Sequence, residues 1–177
     1  SYCALCDGAF YSGEDVCVIG DANTALQYAL VLSGYCKSVH ICTLFDKFFG
    51  DKALLDLVLA RPNVKYTHNL SLKEFIGDDE LSALRFENTV THEDVVVDAK
   101  CAFICIGQVP HNECFANLVD IDKAGYIVAD ENCTTSCDGI FVAGDCRTKK
   151  IRQLVTAASD GSIAAFNACN YVDKVKQ

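Results

Sequence analysis

The stretch that decides the fold is Val16-Cys17-Val18-Ile19-Gly20-Asp21-Ala22-Asn23-Thr24-Ala25. Its first four residues are apolar and rich in β-branched side chains, which is typical of a buried strand, and Gly20 ends that strand. An apolar face at helical spacing follows over residues 24–32. The sequence therefore predicts a buried strand that turns at once into a helix, as at the start of a parallel sheet.

The same alternation of strand and helix continues downstream. Residues 38–42 predict a second strand, residues 51–60 a second helix that stops before Arg61-Pro62, and residues 64–67 a third strand. A β-α-β-α-β order with short connections predicts an α/β fold with a doubly wound parallel sheet. This is a three-layer, Rossmann-like, nucleotide-binding type of domain.

Three more strand-like stretches come next, at residues 71–76, 81–87 and 95–98, with polar turns between them. Their spacing predicts a small antiparallel meander. The apolar run at residues 102–106 predicts a return to the parallel sheet and ends at Gly107. We therefore expect a domain boundary there, with residues 1–107 forming the first domain.

After Gly107 the pattern becomes rich in loops. It predicts two short strands, at residues 126–129 and 140–143, and a final helix over about residues 152–172. One helix and two short strands bury little apolar surface by themselves. We therefore interpret residues 108–177 as the tail of a second domain whose other half lies upstream in a longer polypeptide. The lack of Met in the sequence agrees with this interpretation.

Composition argues against several classes of protein. A net charge of -9 makes a nucleic-acid-binding surface a poor expectation. The sequence has no apolar run long enough to span a membrane, and its first residues do not resemble a signal peptide. Most of its twelve cysteines lie in apolar, strand-like stretches, where cysteine behaves as a small buried hydrophobe. We expect reduced thiols and a cytoplasmic location. The clearest examples are Cys17, Cys42, Cys101 and Cys105.

The segment Cys3-Ala4-Leu5-Cys6 is a C-x-x-C pair. Two intervening residues allow the thiols to close a small ring, and a neighbouring thiol or helix N-terminus lowers the pKa of one of them. Half of a zinc site, or a chance pair in a cysteine-rich chain, are the alternatives. Zinc requires two further ligands at a matching spacing, and neither Cys133/Cys137 nor the scattered histidines offer one. We therefore favour a redox pair and expect no metal.

Four segments together resemble the low-molecular-weight thioredoxin reductases. The resemblance covers essentially the whole chain in the family's order, and it implies an FAD-dependent enzyme that reduces thioredoxin and forms a homodimer. On this basis residues 108–177 are the C-terminal portion of an FAD-binding domain. The matching segments are residues 3–11 followed by 16–20, residues 23–25, residues 138–145 and residues 152–158.

The resemblance also implies roles for single residues. Cys6 receives electrons from the flavin, and Cys3 is the interchange thiol that attacks the protein disulfide. Asp7 is the acid/base, which is reasonable because disulfide exchange requires one sulfur charged and the other protonated in turn. The alternative for Asp7 is a helix cap or turn residue. Residues implied to bind FAD are Gly144, Asp145, Cys146, Arg152, Gln153 and Leu154.

The nicotinamide site departs from the family's pattern in two places. The glycine-rich loop that approaches the pyrophosphate contains Asp21 and Ala22 instead of glycines. At roughly 5 Å and an effective dielectric of about 20, Asp21 would repel each phosphate charge by on the order of 3 kcal/mol. The basic H-R-R-x-x-x-R run that holds the 2′-phosphate is replaced by residues 43–49, with Leu44, Phe45 and Phe49 at the arginine positions.

These two departures make NADPH doubtful and resemble the ferredoxin-dependent flavin thioredoxin reductases. Because ferredoxins are usually acidic, a positive patch is needed, and either the basic run at residues 147–152 or the upstream part must supply it. Three alternatives stay open: an NAD(P)H-dependent thioredoxin reductase, a flavin dithiol oxidase, and a non-catalytic fragment or binding module. An NADH enzyme would explain Phe45 and Phe49, but not Asp21 together with Ala22.

Overall fold

The computed structural model describes residues 1–176 and divides into two compact units, Ser1–Gly107 and the chain from Gln108 onward. The first unit follows the predicted alternation of strands and helices closely. Its elements are α1 (Ala4–Asp7), β1 (Asp15–Ile19), α2 (Asn23–Leu32), β2 (Ser38–Cys42), α3 (Lys52–Leu59), β3 (Val64–Thr67), β4 (Leu70–Gly77), β5 (Leu81–Asn88), β6 (Asp94–Asp98) and β7 (Cys101–Ile104).

The predicted parallel sheet is confirmed, with strand order β3-β2-β1-β7. Strand β1 lies in the middle, where Val18 pairs with Ile41 of β2 and with Phe103 of β7. All three side chains are fully buried, and the apolar face of α2 packs on them through Leu26 and Leu32. Fully burying each such side chain contributes about 1.5–3 kcal/mol, so this layer is a main source of the unit's stability.

The antiparallel meander is also confirmed and covers the other face of the parallel sheet. Its strands follow the order β4-β5-β6. The strands of a meander bury one face, and here Leu84 and Phe86 of β5 pack in one cluster with Ile19 and Cys42 of the parallel sheet. Helices, parallel sheet and meander therefore form the three layers expected of an α/β nucleotide-binding fold.

Cysteine is used in this unit mainly as a core residue, as the sequence predicts. Cys17, Cys42 and Cys101 are buried free thiols and Cys105 is half-buried. Burial disfavours the thiolate and raises the pKa of Cys105 to about 12, so this thiol stays protonated and unreactive at neutral pH.

The second unit is irregular apart from one long helix, α4 (Leu154–Val175). The predicted strands at residues 126–129 and 140–143 are wrong: only the isolated bridges of Ile127 and Phe141 form there. Neighbouring segments do lie beside these runs, but each pairs with them only briefly: the Val128 N–H donates to the Asp120 carbonyl oxygen at 2.9 Å and the Val142 N–H to that of Cys133 at 3.0 Å. The apolar residues Val119, Ile127 and Val142 therefore pack in a small cluster and do not form a sheet.

Helix α4 begins two residues later than the sequence predicts and runs three residues further. Gln153 is its N-cap, and the Gln153 backbone N–H donates to Thr156 Oγ1 at 3.2 Å. Across residues 1–176, no helix is both long enough and apolar enough to cross a bilayer.

Candidate functional site

A disulfide joins Cys3 and Cys6 at the first helical turn of the chain. Their Cα atoms are 5.2 Å apart, inside the range of roughly 4.4–6.8 Å that a disulfide needs. Cys3 is the N-cap of α1, and its Sγ accepts the Cys6 backbone N–H at 3.1 Å. Residues three apart on a helix share one face, so a single turn brings the two sulfurs together. The predicted proximity of the pair is confirmed.

Glycine at position 8 lets this turn lie close to α2. A Cβ at Gly8 would stand 2.4 Å from the Tyr35 hydroxyl and 2.9 Å from Leu32 Cδ2. Ala4 is buried beneath the turn, whereas Leu5 and Cys6 are exposed. The pair is thus held on the packed surface of the first unit with Cys6 accessible.

Asp7 lies next to the pair and is held there by Ser1. The Ser1 hydroxyl donates to Asp7 Oδ2 at 2.6 Å, and Ser1 Oγ itself accepts the Cys3 backbone N–H at 3.0 Å. Asp7 precedes the 3₁₀ turn Gly8–Tyr11, but its side chain makes no capping hydrogen bond to that turn. Ser1 therefore links the Asp7 carboxylate to the Cys3 backbone, and the geometry does not favour the helix-cap alternative.

Cys6 is more exposed than Cys3 in this oxidised state. Exposure therefore does not single out Cys3 as the interchange thiol, and that role stays a prediction from the resemblance. Within residues 1–176, no group of three or more His, Cys, Asp or Glu side chains is placed to hold a metal ion.

In the second unit, the segment Gly144–Cys146 is a tight turn packed against the start of α4. Gly144 has a φ of +86°, a conformation that favours glycine, and its backbone N–H donates to Asp160 Oδ2 at 3.0 Å. A Cβ at Gly144 would meet only Ala157 Cβ of α4, at 3.8 Å. The structure thus brings the two predicted cofactor-binding segments together. Asp145 and Leu154 are exposed there, and Cys146 and Gln153 are half-buried.

Arg152 lies just before α4, with its guanidinium 4.1 Å from the centre of the Tyr126 ring. Its Nε is buried and finds no hydrogen-bond partner within the described part of the chain. A buried charged donor without an acceptor is costly, so this atom is suited to a ligand acceptor.

The basic run that includes Arg147 and Lys149 is not an exposed patch, contrary to the expectation that it could face an acidic partner. Arg147 is 4% exposed and forms a two-pronged ion pair with Asp160 at 2.8 Å. Lys149 Nζ also donates to Asp160, at 2.8 Å. Both cations are therefore bound inside the fold, where Asp160 offsets one of their two positive charges, and Lys150 is the exposed cation of this run.

The two departures in the nicotinamide loop form one continuous surface. The Phe49 backbone N–H donates to the Asp21 carbonyl oxygen at 2.7 Å, so the loop after β2 lies directly against the loop after β1. Phe45 and Phe49 stack edge to face at 5.3 Å, and both are about half exposed. Where a 2′-phosphate would need a cluster of cations, this edge of the sheet presents two apolar rings, with Lys47 Nζ 5.3 Å from the centre of the Phe49 ring.

Comparison with known proteins assigns this arrangement to a family. Residues 1–161 match the family model described as pyridine nucleotide-disulphide oxidoreductase. The chain belongs to this family. Members of it bind FAD.

Two curated relatives span the chain almost completely. A "34.2 kDa protein in rubredoxin operon" of Clostridium pasteurianum is 39% identical over 97% of the chain and 56% of its own length. A thioredoxin reductase of Listeria monocytogenes is 36% identical over 100% of the chain and 56% of its own length. The chain therefore spans little more than half the length of the curated relatives it matches.

The solved thioredoxin reductase of Streptococcus pyogenes has the same fold, with a TM-score of 0.90 and 33% identity over 98% of this chain and 57% of its own. An atypical thioredoxin reductase from Desulfovibrio vulgaris is less similar, with a TM-score of 0.56 and 28% identity.

The second unit fits the flavin of this family on two observations. The open face of the Gly144 backbone leaves room for a ligand to approach closely, and the orphaned Arg152 Nε offers a donor to an electron-rich edge. Flavins present ribityl hydroxyls and ring carbonyl oxygens, which need such donors and acceptors.

Sequence reasoning missed two residues that organise these sites. Ser1 was not considered, since a lone serine beside a C-x-x-C carries no signal of its own. Asp160 was missed as well, although a single acidic residue on the apolar, Ala-rich face of α4 was a detectable sign of a buried partner.

Proposed function

We propose that this chain is the C-terminal part of an FAD-dependent disulfide oxidoreductase that reduces thioredoxin through Cys3 and Cys6 and takes its electrons from ferredoxin. Residues 1–107 form the pyridine-nucleotide-type domain that carries the pair, and residues 108–177 form the C-terminal portion of the FAD domain. The Cys3–Cys6 disulfide beside Asp7 carries the reductase part of the proposal. A cytoplasmic homodimer, implied by the resemblance, completes it.

The proposed exchange needs only these side chains and the partner disulfide. The Cys3 thiolate attacks one sulfur of the thioredoxin disulfide, which forms a mixed disulfide and releases the other thioredoxin sulfur as a thiolate. The Cys6 thiolate then attacks Cys3 Sγ, which closes the Cys3–Cys6 bond and releases thioredoxin as a dithiol. FAD, when bound, supplies the two electrons that reopen the pair.

Asp7 manages the proton in this cycle. In the resting dithiol one sulfur must be charged to attack, while the other must keep its proton until its turn. The Asp7 carboxylate takes up and returns that proton, and the 2.6 Å hydrogen bond from Ser1 fixes its orientation beside α1.

The choice of ferredoxin as donor is supported by the surface around Asp21 and Phe49. A nicotinamide cofactor would meet a carboxylate near its pyrophosphate and apolar rings near a 2′-phosphate. Each lost charge-assisted hydrogen bond costs about 1.5–3 kcal/mol, so two or three losses take a micromolar site to millimolar or weaker. Because Arg147 and Lys149 are bound to the buried Asp160, this run presents Lys150 as its exposed cation. A larger positive docking patch for ferredoxin must come from another part of the full-length protein.

Stopped-flow flavin reduction under anaerobic conditions tests the donor. We expect the full-length enzyme to be reduced by photochemically reduced ferredoxin, and not by micromolar NADPH or NADH. Thioredoxin should likewise be reduced when ferredoxin is the electron donor, and not when NADPH or NADH is. Bleaching of the flavin within a second at micromolar NADPH would overturn the ferredoxin assignment while leaving the disulfide reductase intact.

A matched variant sharpens this test. Asp21→Gly with Ala22→Gly, combined with Leu44→Arg and Phe45→Arg, restores the family's loop pattern. We expect this variant to gain flavin reduction by NADPH by at least about 10-fold over wild type, because it regains two phosphate partners. An unchanged rate would show that these four positions do not decide the donor.

An NAD(P)H-dependent thioredoxin reductase is the second candidate, and one observation favours it. Ala22 precedes α2 without any side-chain oxygen to cap it, so the first-turn N–H groups of α2 receive no side-chain acceptor from their N-cap. Such N–H groups suit a phosphate. The stopped-flow experiment separates the two candidates directly.

A further inference from the structure

Asp160 is a buried carboxylate with an unusual number of donors. It lies on α4 and is 4% exposed. Its two oxygens accept hydrogen bonds from Arg147 Nε and Nη2 at 2.8 Å, from Lys149 Nζ at 2.8 Å and from the Gly144 backbone N–H at 3.0 Å. A buried charge is retained only when such partners offset the loss of water, so these hydrogen bonds to Asp160 must persist in the native state.

These hydrogen bonds fix the turn from Gly144 to Lys149 at both ends. Gly144, whose φ is positive, is held by its backbone N–H at one end, and Lys149 by its ammonium group at the other. Arg147 adds a hydrogen bond from Nη1 to the Asp130 carbonyl oxygen at 3.3 Å. One helical side chain thus contacts three residues of this turn, and the Cys146 carbonyl oxygen in its middle accepts from the Ile127 N–H and from Asn112 Nδ2.

The same helix face supports the turn from below. Asp160 and Ala157 are three residues apart on α4 and therefore lie on one face, and Ala157 is the nearest neighbour of the open side of Gly144. A shift of Asp160 would move the Gly144 backbone relative to α4. The face on which Asp145 is exposed would move with it.

We propose that Asp160 is a positioning residue for the cofactor: it holds the Gly144–Asp145 turn in the conformation that receives the flavin. Asp160 acts through Gly144, Arg147 and Lys149, without itself touching the cofactor. The proposal rests on the FAD site of the proposed function. It adds that the affinity for flavin depends on a carboxylate nearly two helical turns beyond Leu154, the last residue assigned to the FAD site.

Asp160→Asn in the full-length flavoprotein tests the proposal. Asparagine is isosteric but neutral, so Arg147 and Lys149 lose the buried negative charge that holds them. An amide group in place of Asp160 Oδ1 also presents a donor to the Arg147 Nη2 donor. We expect FAD affinity of the apoprotein, measured by quenching of FAD fluorescence, to fall by about 10- to 100-fold. The visible absorption spectrum of bound flavin should also lose its resolved shoulders. Asp173→Asn, an exposed change on the same helix, is the control and should leave both readouts unchanged.

A purely structural role predicts a different result. The triple change Arg147→Met, Lys149→Met and Asp160→Leu replaces the ion cluster by apolar side chains of similar size, which commonly preserves stability. We expect it to keep a melting temperature near that of wild type and still to bind FAD at least about 10-fold more weakly, because Gly144 has lost its acceptor. Wild-type FAD affinity in this folded variant would overturn the proposal.

Two further results separate this proposal from the function on which it rests. If wild type binds no FAD, the proposed function fails along with it. If wild type binds FAD and Asp160→Asn binds it equally well, only the role of Asp160 fails. If the triple variant does not fold, the Asp160→Asn variant decides alone. In that variant, a Cys3 and Cys6 thiol titre equal to that of wild type at the same protein concentration shows that the first unit is intact.

Discussion

The two compact units keep their shape by different means. In residues 1–107, apolar side chains such as Phe86 and Phe103 fill both faces of a regular parallel sheet. From residue 108 onward the buried apolar cluster is small, centred on Val119, Ile127 and Val142, and a buried ion cluster around Asp160 holds the irregular chain in place. The first arrangement follows from periodicity, and the second depends on a few specific partners. A single substitution should therefore affect the two units in different ways.

The largest effect should come from the exposed pair, which stands outside either core. Cys3→Ser should lower thioredoxin reduction by the full-length enzyme more than about 1000-fold, because the exchange chain loses a sulfur. The urea midpoint should barely move, since the pair lies on the surface. A parallel variant, Cys114→Ser, removes another exposed thiol and should keep full activity. Substantial residual activity in Cys3→Ser would contradict the assigned pair.

Truncation in the two cores should show their unequal size. Phe86→Ala removes a fully buried ring and should cost about 3–5 kcal/mol of unfolding free energy. Val142→Ala, in the smaller cluster, should cost about 1–2 kcal/mol. Urea denaturation followed by segment-resolved hydrogen exchange measures both. Phe10→Ala, at a ring that is 83% exposed, is the control and should stay within about 0.5 kcal/mol.

Acid should weaken the first unit through His40. Burial of the imidazole, reinforced by the nearby Lys65, lowers the pKa of His40 to about 4. In the unfolded chain that pKa is about 6.5, so between pH 6.5 and 4 only the unfolded state takes up the proton. Stability present above pH 6.5 is therefore lost as pH falls, by up to about 3 kcal/mol.

His40→Gln should remove this part of the pH dependence. His92→Gln, which changes an exposed histidine, should leave it in place. Hydrogen exchange of β1 and β2 measured at several pH values reports the effect. An unchanged pH profile in His40→Gln would show that this imidazole is not the acid-sensitive group.

The second unit should resist acid down to a lower pH. Hydrogen bonds from Arg147 chiefly, then from Lys149 and the Gly144 N–H, hold the pKa of Asp160 well below its usual range despite burial. A lowered carboxyl pKa gives stability that is present above the unfolded value of about 3.9 and is lost as pH falls below it. We expect about 1.4 kcal/mol for each unit of that lowering.

Exchange protection of α4 should thus persist between pH 6.5 and 4, where protection of β1 declines. Below pH 4 it should fall in wild type, and much less steeply in Asp160→Asn. Loss of protection in both units over the same pH range would break the comparison, because it would mean that they unfold together.

The accuracy with which the sequence predicts secondary structure also differs between the two units. Apart from the short α1, the helices and strands of residues 1–107 were predictable to within about two residues, since each carries a periodic pattern or a continuous apolar run. The runs at residues 126–129 and 140–143 carried a similar β signal and still formed only single bridges. A strand needs a partner that stays alongside over several residues, and here the neighbouring segments pair with these runs over only one or two residues.

The sites show the same division. The pair Cys3 and Cys6, and Asp7 next to it, could be read because the whole motif lies within one helical turn. The basic run at residues 147–152 was misjudged as a possible docking patch, because its partner Asp160 lies on the following helix. Nothing in the local sequence distinguishes a lysine in solvent from one bound inside the fold.

By itself, then, the sequence determined the α/β fold and the proximity of Cys3 and Cys6, which depend on residues close together in the chain. Tertiary structure alone decided that Phe49 lies against Asp21, that Ser1 holds Asp7, and that Arg147 and Lys149 are buried on Asp160. The physical reason is that periodicity and motif spacing are local. A buried charge or backbone group has lost its hydrogen bonds to water and must find a partner inside the protein. The path of the folded chain decides which partner is within reach.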